Sequence, residues 1–311
     1  MSDVIGERRL APDFFVIGAY RSGTTSLYRY LRQHPDVFLP LEKEPNFYAV
    51  DGNPDASPVL RSRALTTRAD YDRYYADAAE HEQRGDISPE YLRNPAAPPR
   101  IHRDHPDAKL VAMLRNPVER AWSDFLLHRR DGNEPFDTLT EALADQEQRQ
   151  SSGDHRAGHY IDSGMYHGQL QRYLELFERE QILVVLHDDF REDRHALMRS
   201  IFTHIGVDAD FVTTDEAAIN ASGVPTNKLV AFALKSRAKL RPFVSRSVLE
   251  KVRPYWDRLL SRNLAKPALS DADRQLLVDI YRDDVAALGE LLDRDLTHWL
   301  TGPTADERTE S

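Results

Sequence analysis

Cysteine is absent from the 311 residues, which excludes disulfides, thiolate metal sites, iron–sulfur clusters and a cysteine nucleophile. Long hydrophobic runs are missing as well. No stretch approaches the roughly 18 apolar residues of a membrane span, and the opening MSDVIGERRLAPDFF lacks the apolar segment of a secretory signal. Positive charge is in deficit: 41 Lys+Arg face 51 Asp+Glu, a net charge of −10, which argues against nucleic acid as a partner. Hydrophobic residues at 41% and aromatics at 9% suffice for a core and exclude global disorder. The expectation is a cytoplasmic protein without a membrane span, whose oligomeric state leaves no mark in the sequence. At this length one α/β domain fits. It is expected over residues 13–302, between tails at 1–12 and 303–311.

What is present alternates between two periods. Asp13 to Gly18 (DFFVIG) and Lys109 to Leu114 (KLVAML) are short apolar runs that read as buried strands of a parallel sheet. Each is followed by a turn and a helical pattern, TTSLYRYLRQ after the first and a helix from Pro117 to the residue before Asp131-Gly132 after the second. A third unit comprises a helix at Gln169 to Phe177, a strand at Ile182 to His187 and a helix at Arg191 to Ile205. A last helix, Asp271 to Leu292, follows the cap Ser270. Asp51 to Pro58, Asn94 to Pro99 and residues 150–164 read as loops. Strands alternating with helices predict an α/β fold with a central, mostly parallel sheet flanked by helices.

Gly18-Ala19-Tyr20-Arg21-Ser22-Gly23-Thr24-Thr25 has the spacing of a phosphate-binding loop, with Thr24 where that loop's lysine should stand. Such a turn aims backbone N–H groups and a helix N-terminus at an anion. Read alone, it is also compatible with an ordinary glycine-rich turn between strand and helix.

Neighbouring segments narrow the choice. FFVIGAYRSGTTSLYRYLRQHPDVFLPLEKEPNFY resembles the 5′-phosphosulfate loop and following catalytic segment of sulfotransferases that use 3′-phosphoadenosine 5′-phosphosulfate (PAPS). KLVAMLRNPVERAWSDF resembles the same family's 3′-phosphate segment, and GMYHGQLQRYLELFEREQILVVLHDDF and YRDDVAALGELLDRDLTHWL are similar to bacterial members. By pattern the likeness is to carbohydrate-type enzymes, including the heparan sulfate glucosaminyl sulfotransferases. It implies a P-loop-like sulfotransferase fold, PAPS as co-substrate, no metal, and transfer to a hydroxyl or amine of a carbohydrate or small-molecule acceptor.

The resemblance also implies roles. Arg21 aligns with the family's essential lysine and would be both catalytic and donor-binding; Ser22, Gly23, Thr24, Thr25 and Ser26 would surround the 5′-phosphate. Arg115 and Ser123 are implied ligands of the 3′-phosphate. Glu44, in Lys43-Glu44-Pro45-Asn46-Phe47-Tyr48, is the implied general base, which attack by an alcohol requires. Thr226, Asn227 and Lys228 fall in a segment similar to a donor loop of bacterial members, and the basic stretch 228–253 that follows reads as a solvated helix face. Two departures stand out. Asn46 replaces a frequent histidine, and Ile87, in GDISPEY, replaces the lysine of the heparan 3-O-sulfotransferases. His128, His155, His159 and His167 lack metal-site spacing. A nucleotide-dependent kinase is the enzymatic alternative, with the acid of His187-Asp188-Asp189 to hold Mg²⁺. A non-catalytic nucleotide-binding protein is the third reading.

Overall fold

Every strand of the main sheet is parallel, and its order, β2-β3-β1-β4-β5, puts the first strand in the middle. The strands are β1 (Phe14–Gly18), β2 (Val37–Phe38), β3 (Gln83–Ile87), β4 (Lys109–Leu114) and β5 (Ile182–Leu186). The structure, a computed structural model, describes residues 12–79, 82–146, 148, 159–214, 224–225, 264–265 and 267–301. These fall into two units, one within Met1–Arg115, Tyr166–Glu216 and Glu290–Leu292, the other within Asn116–Met165, Ala217–Gly289 and Asp293–Ser311.

The main sheet belongs to the first unit. All five residues of β1 are buried. Since successive side chains alternate faces, both faces of the sheet are covered there, which is why β1 and, after Lys109, β4 are uninterrupted apolar runs. Phe14, Val16, Val111 and Met113 pack in one core cluster with Leu27, Leu31, Ile201 and Phe202. β3 is different: it reads QRGDI. Arg84 survives near burial through a bidentate pair with Asp13, Nε to Oδ2 at 2.8 Å and Nη2 to Oδ1 at 2.9 Å. Gly85 is required by space, because a Cβ there would meet the Phe14 ring at 2.3 Å.

Helices in this unit are α1 (Thr24–Leu31), α2 (Phe47–Val50), α3 (Pro58–Arg61), α4 (Arg68–Arg73), α5 (Glu90–Arg93) and α6 (Ala97–Asp104). In the second unit are α7 (Pro117–Asp131) and α8 (Leu139–Ala144). The first unit resumes with α9 (Tyr166–Leu174), α10 (His187–Glu192) and α11 (Arg194–Ile205), and most of α12 (Asp271–Leu292) lies in the second.

Three expectations need correction. The Pro-rich run at 94–99 is not all loop: α6 begins inside it, with Pro98 and Pro99 in the first turn, where no N–H is needed. The helix expected from Arg191 is two, because Asp193 (φ −142°) leaves helical geometry and its carboxylate accepts the Ala196 N–H at 2.9 Å. The helix expected from Gln169 begins at Tyr166 and ends at Leu174. The strand pair β6 (Val224–Pro225) and β7 (Leu264–Ala265) is antiparallel and lies in the second unit. Most of 150–164 and the basic stretch after Asn227 lie outside the described residues.

In the second unit α7 is capped by Asn116, whose Oδ1 accepts the Val118 N–H at 2.9 Å while its Nδ2 donates to the Trp299 carbonyl at 3.1 Å. The fully buried Arg120 donates to Asp124 Oδ2 at 3.4 Å and to the Tyr160 carbonyl, which also accepts the Tyr281 hydroxyl at 2.8 Å.

This topology locates a site before any residue is considered. From β1 the chain moves to β2 and β3 on one side, then returns to β4 and β5 on the other. The loops leaving the carboxyl ends of β1 and β4 therefore diverge, and ligands of open α/β sheets bind in the crevice between such loops.

Candidate active site

The loop after β1 is built to present backbone. Ala19 N–H donates to the Met113 carbonyl at 2.7 Å and Ser22 N–H to the Ala19 carbonyl at 3.2 Å, closing the turn against β4. Arg21 (φ 66°) and Gly23 (φ 100°) are both left-handed. At Gly23 the conformation demands glycine, and a Cβ would also lie 3.1 Å from Met113 Cε and 3.3 Å from His187 Cδ2, so those side chains would have to give by a few tenths of an ångström. No side chain caps α1 at Gly23, which leaves first-turn N–H groups and the positive helix end for a ligand. The fully buried Ser22 Oγ has no hydrogen-bond partner among the described residues. An uncapped helix end beside an orphaned hydroxyl fits an anion such as a nucleotide 5′-phosphate.

The Glu44 segment is fastened at four points. Tyr28 OH donates to the Pro40 carbonyl at 2.6 Å, Tyr74 OH donates to the Glu42 carbonyl, Leu65 N–H to the Pro45 carbonyl at 2.8 Å, and Asn46 N–H to Ser88 Oγ at 3.1 Å. Glu44 (φ 67°) and Asn46 (φ 50°) are left-handed without being glycine. With Arg21 they are three of the four such residues described. Each costs about 1–3 kcal/mol, and their concentration here marks a place where conformation is held against local preference. Glu44 Oε1 accepts from Lys43 Nζ at 2.8 Å, and the same ammonium lies 3.1 Å from Thr24 Oγ1 and 3.4 Å from Thr25 Oγ1. Asn46 Nδ2 donates to the Glu44 carbonyl at 3.1 Å, while its buried Oδ1 has no partner among the described residues.

Beneath this segment lies a buried carboxylate. Asp86 accepts the hydroxyls of Ser88 (2.7 Å), Tyr71 (2.8 Å) and Tyr91 (2.8 Å), and Ser88 in turn receives Asn46. Burial pushes the Asp86 carboxyl from 3.8 up to about 6, against those three hydroxyls and with a contribution from the charge of Glu44. A raised folded-state pKa means stability that is present in full below the unfolded value and lost as pH rises through about 6. Between about pH 7.5 and about pH 4.5 this group should therefore add roughly 2 kcal/mol of stability. Asp86→Asn cannot titrate, so the unfolding free energy of wild type relative to the variant should rise by that amount on acidification. A difference independent of pH would contradict the assignment.

Arg115 stands at the carboxyl end of β4. Its Nη1 lies 3.5 Å from the Arg21 carbonyl, and its own carbonyl accepts the Tyr166 hydroxyl at 2.9 Å. The first unit thus brings together Arg21, Ser22, Gly23, Thr24, Thr25, Ser26, Glu44 and Arg115. Ser123 is buried on α7, in the second unit. Thr226, Asn227 and Lys228 lie outside the described residues. Ile87 is a core residue, packed in the main cluster. Lys43 was missed as a site residue, because nothing in its local sequence places it on α1. Arg120 went without a role at the sequence level; its burial with Asp124 makes it a packing residue of α7.

Of the two carboxylates considered for Mg²⁺, Asp189 is engaged by backbone. Asp189 Oδ2 accepts the Leu186 N–H at 3.3 Å, and a cavity of about 200 Å³ nearby is lined by Asp189, Glu192 and Asp193, which repel phosphate. Among the described residues no group of His, Asp and Glu is arranged to hold a metal ion. No described helix is long and apolar enough to cross a membrane.

A parallel sheet whose central strand delivers a turn of phosphate-loop spacing at the switch point defines a P-loop-like α/β protein. Residues 12–211 match the Sulfotransferase family, and the chain belongs to that family. Carbohydrate sulfotransferase 15 of Mus musculus is 27% identical over 248 residues, 64% of this chain and 44% of the relative. Heparan sulfate glucosamine 3-O-sulfotransferase 3B1 of Mus musculus is 26% identical, over 81% of this chain and 62% of the relative. The chain thus spans under half the length of the first and under two thirds of the second. Among solved structures, a sulfotransferase from Alicyclobacillus acidocaldarius is 28% identical with a TM-score of 0.73, covering 94% of this chain and 99% of that one. A mouse sulfotransferase complexed with PAP, 13% identical with a TM-score of 0.50 over 91% of this chain and 87% of that one, shares the fold.

Proposed function

We propose that this chain transfers the sulfuryl group of PAPS to a hydroxyl of a carbohydrate or small-molecule acceptor, by direct in-line attack. The observation that carries this reading is that one ammonium, that of Lys43, touches both the threonines of an anion cradle and the Glu44 carboxylate. A base is thereby held beside a phosphate site. Family membership and the carbohydrate sulfotransferases among its relatives support the reaction and the acceptor class.

In this reading the backbone of Gly23 and Thr24, with the hydroxyls of Ser22, Thr25 and Ser26, binds the 5′-phosphate, and Arg115 binds the 3′-phosphate. The acceptor oxygen bonds to sulfur as the bond from sulfur to the 5′-phosphate oxygen breaks. Glu44 takes the acceptor's proton, Arg21 offers positive charge where negative charge grows on the leaving phosphate, and adenosine 3′,5′-bisphosphate departs.

Calorimetric titration separates this reading from a kinase. Adenosine 3′,5′-bisphosphate should bind at least about tenfold tighter than ATP, with no dependence on Mg²⁺. Tighter binding of Mg²⁺–ATP would replace the reading by phosphoryl transfer.

A further inference from the structure

The phosphate loop lacks the lysine its spacing calls for, since Thr24 stands in that place. The fold supplies an ammonium at the same spot from elsewhere. Lys43 is largely buried, its side chain 15% exposed, and its three N–H bonds meet three oxygens, Thr24 Oγ1, Thr25 Oγ1 and Glu44 Oε1. Adjacent residues of an extended segment point in opposite directions. Lys43 and Glu44 converge because Glu44 is left-handed.

That placement is unfavourable for a helix on its own. Thr24 and Thr25 open α1, whose N-terminus carries the positive end of the helix dipole, where a cation is repelled and an anion welcomed. Of the three oxygens two are neutral hydroxyls, so Glu44 alone balances the ammonium. The orphaned, fully buried hydroxyl of Ser22 lies in the loop that leads into the same helix end. A cation, an uncapped helix and a hydroxyl with no partner among the described residues are jointly explained by a phosphate-type anion.

We propose that Lys43 is a second cation of the 5′-phosphate site beside Arg21, standing where the loop's spacing calls for a lysine, and that by holding Glu44 it fixes the distance between the base and the donor. The inference rests on the PAPS reading above. When the donor is bound, the ammonium exchanges its threonine hydroxyls for oxygens of the 5′-phosphate end and retains Glu44.

The test compares adenosine 3′,5′-bisphosphate with adenosine 3′-phosphate, which lacks the 5′ group. Wild type should prefer the bisphosphate; if it binds neither nucleotide, or both equally, the PAPS reading itself falls. Given that preference, Lys43→Met should weaken the bisphosphate by about ten- to a hundredfold, the scale of one charge-assisted contact, and leave adenosine 3′-phosphate within about twofold. Lys43→Gln keeps an amide donor without charge, so it should lose selectivity likewise and serves if the methionine variant does not fold. Equal losses for both nucleotides, or wild-type selectivity in either folded variant, would overturn the proposal while leaving the PAPS reading intact.

Discussion

Glu44→Gln should bind adenosine 3′,5′-bisphosphate within about threefold of wild type and transfer sulfuryl groups about 10²- to 10⁴-fold more slowly. The amide has the size of the carboxylate, and its oxygen can still accept from Lys43, as Glu44 Oε1 does at 2.8 Å. The four attachments around the segment involve backbone or other side chains, so the left-handed turn at position 44 survives the exchange. What the amide cannot do is take a proton at neutral pH, and an alcohol attacks poorly while it keeps its own. Asn46 cannot replace the base, because an amide has no basic nitrogen and its Nδ2 already donates to the Glu44 carbonyl. The measurement is transfer of radiolabelled sulfur from PAPS under single-turnover conditions, with an acceptor found by screening sugars against wild type. Rates within about threefold of each other, far below the general-base range, would assign proton removal to another group.

How much of this was legible in the sequence depends on what each feature needs. β1, β4 and β5 announce themselves because strands covered by helices read as apolar runs, as FFVIG, LVAML after Lys109, and ILVVL do. β3 does not, because QRGDI is buried through partners supplied from elsewhere: Asp13 for Arg84, and the hydroxyls of Tyr71, Ser88 and Tyr91 for Asp86. Hydrophobic period cannot reveal a strand whose polar groups are satisfied by distant residues. The phosphate loop was legible through Gly18 and Gly23, residues chosen by backbone conformation and space. Lys43 was not. Its contact with Thr24 joins residues 19 apart, and the turn that directs it occurs at a glutamate, a residue type carrying no signal for left-handed backbone. Asn46, of a type that tolerates that region, was the one local hint.

Arg115→Ala should weaken adenosine 3′,5′-bisphosphate by about ten- to a hundredfold and leave adenosine 5′-phosphate nearly unaffected. The guanidinium is carried at the carboxyl end of a fully paired strand, next to the loop that leaves β1, and Tyr166 holds its backbone carbonyl at 2.9 Å. It is therefore delivered to the crevice by a strand hydrogen-bonded on both edges. Its segment resembles the family's 3′-phosphate segment, and only the bisphosphate carries that group. There is a competing role: Arg115 Nη1 lies 3.5 Å from the Arg21 carbonyl and could serve to brace the phosphate loop. The two roles differ in outcome. A brace supports every ligand of the loop, so its loss would weaken both nucleotides alike, whereas a 3′-phosphate ligand discriminates between them. Arg115→Lys sharpens the comparison, since an ammonium keeps the charge and loses the two-pronged geometry. For a phosphate ligand it should recover part of the lost affinity for the bisphosphate alone. Equal losses for both nucleotides in Arg115→Ala would assign this arginine to the loop and leave the 3′-phosphate to other residues.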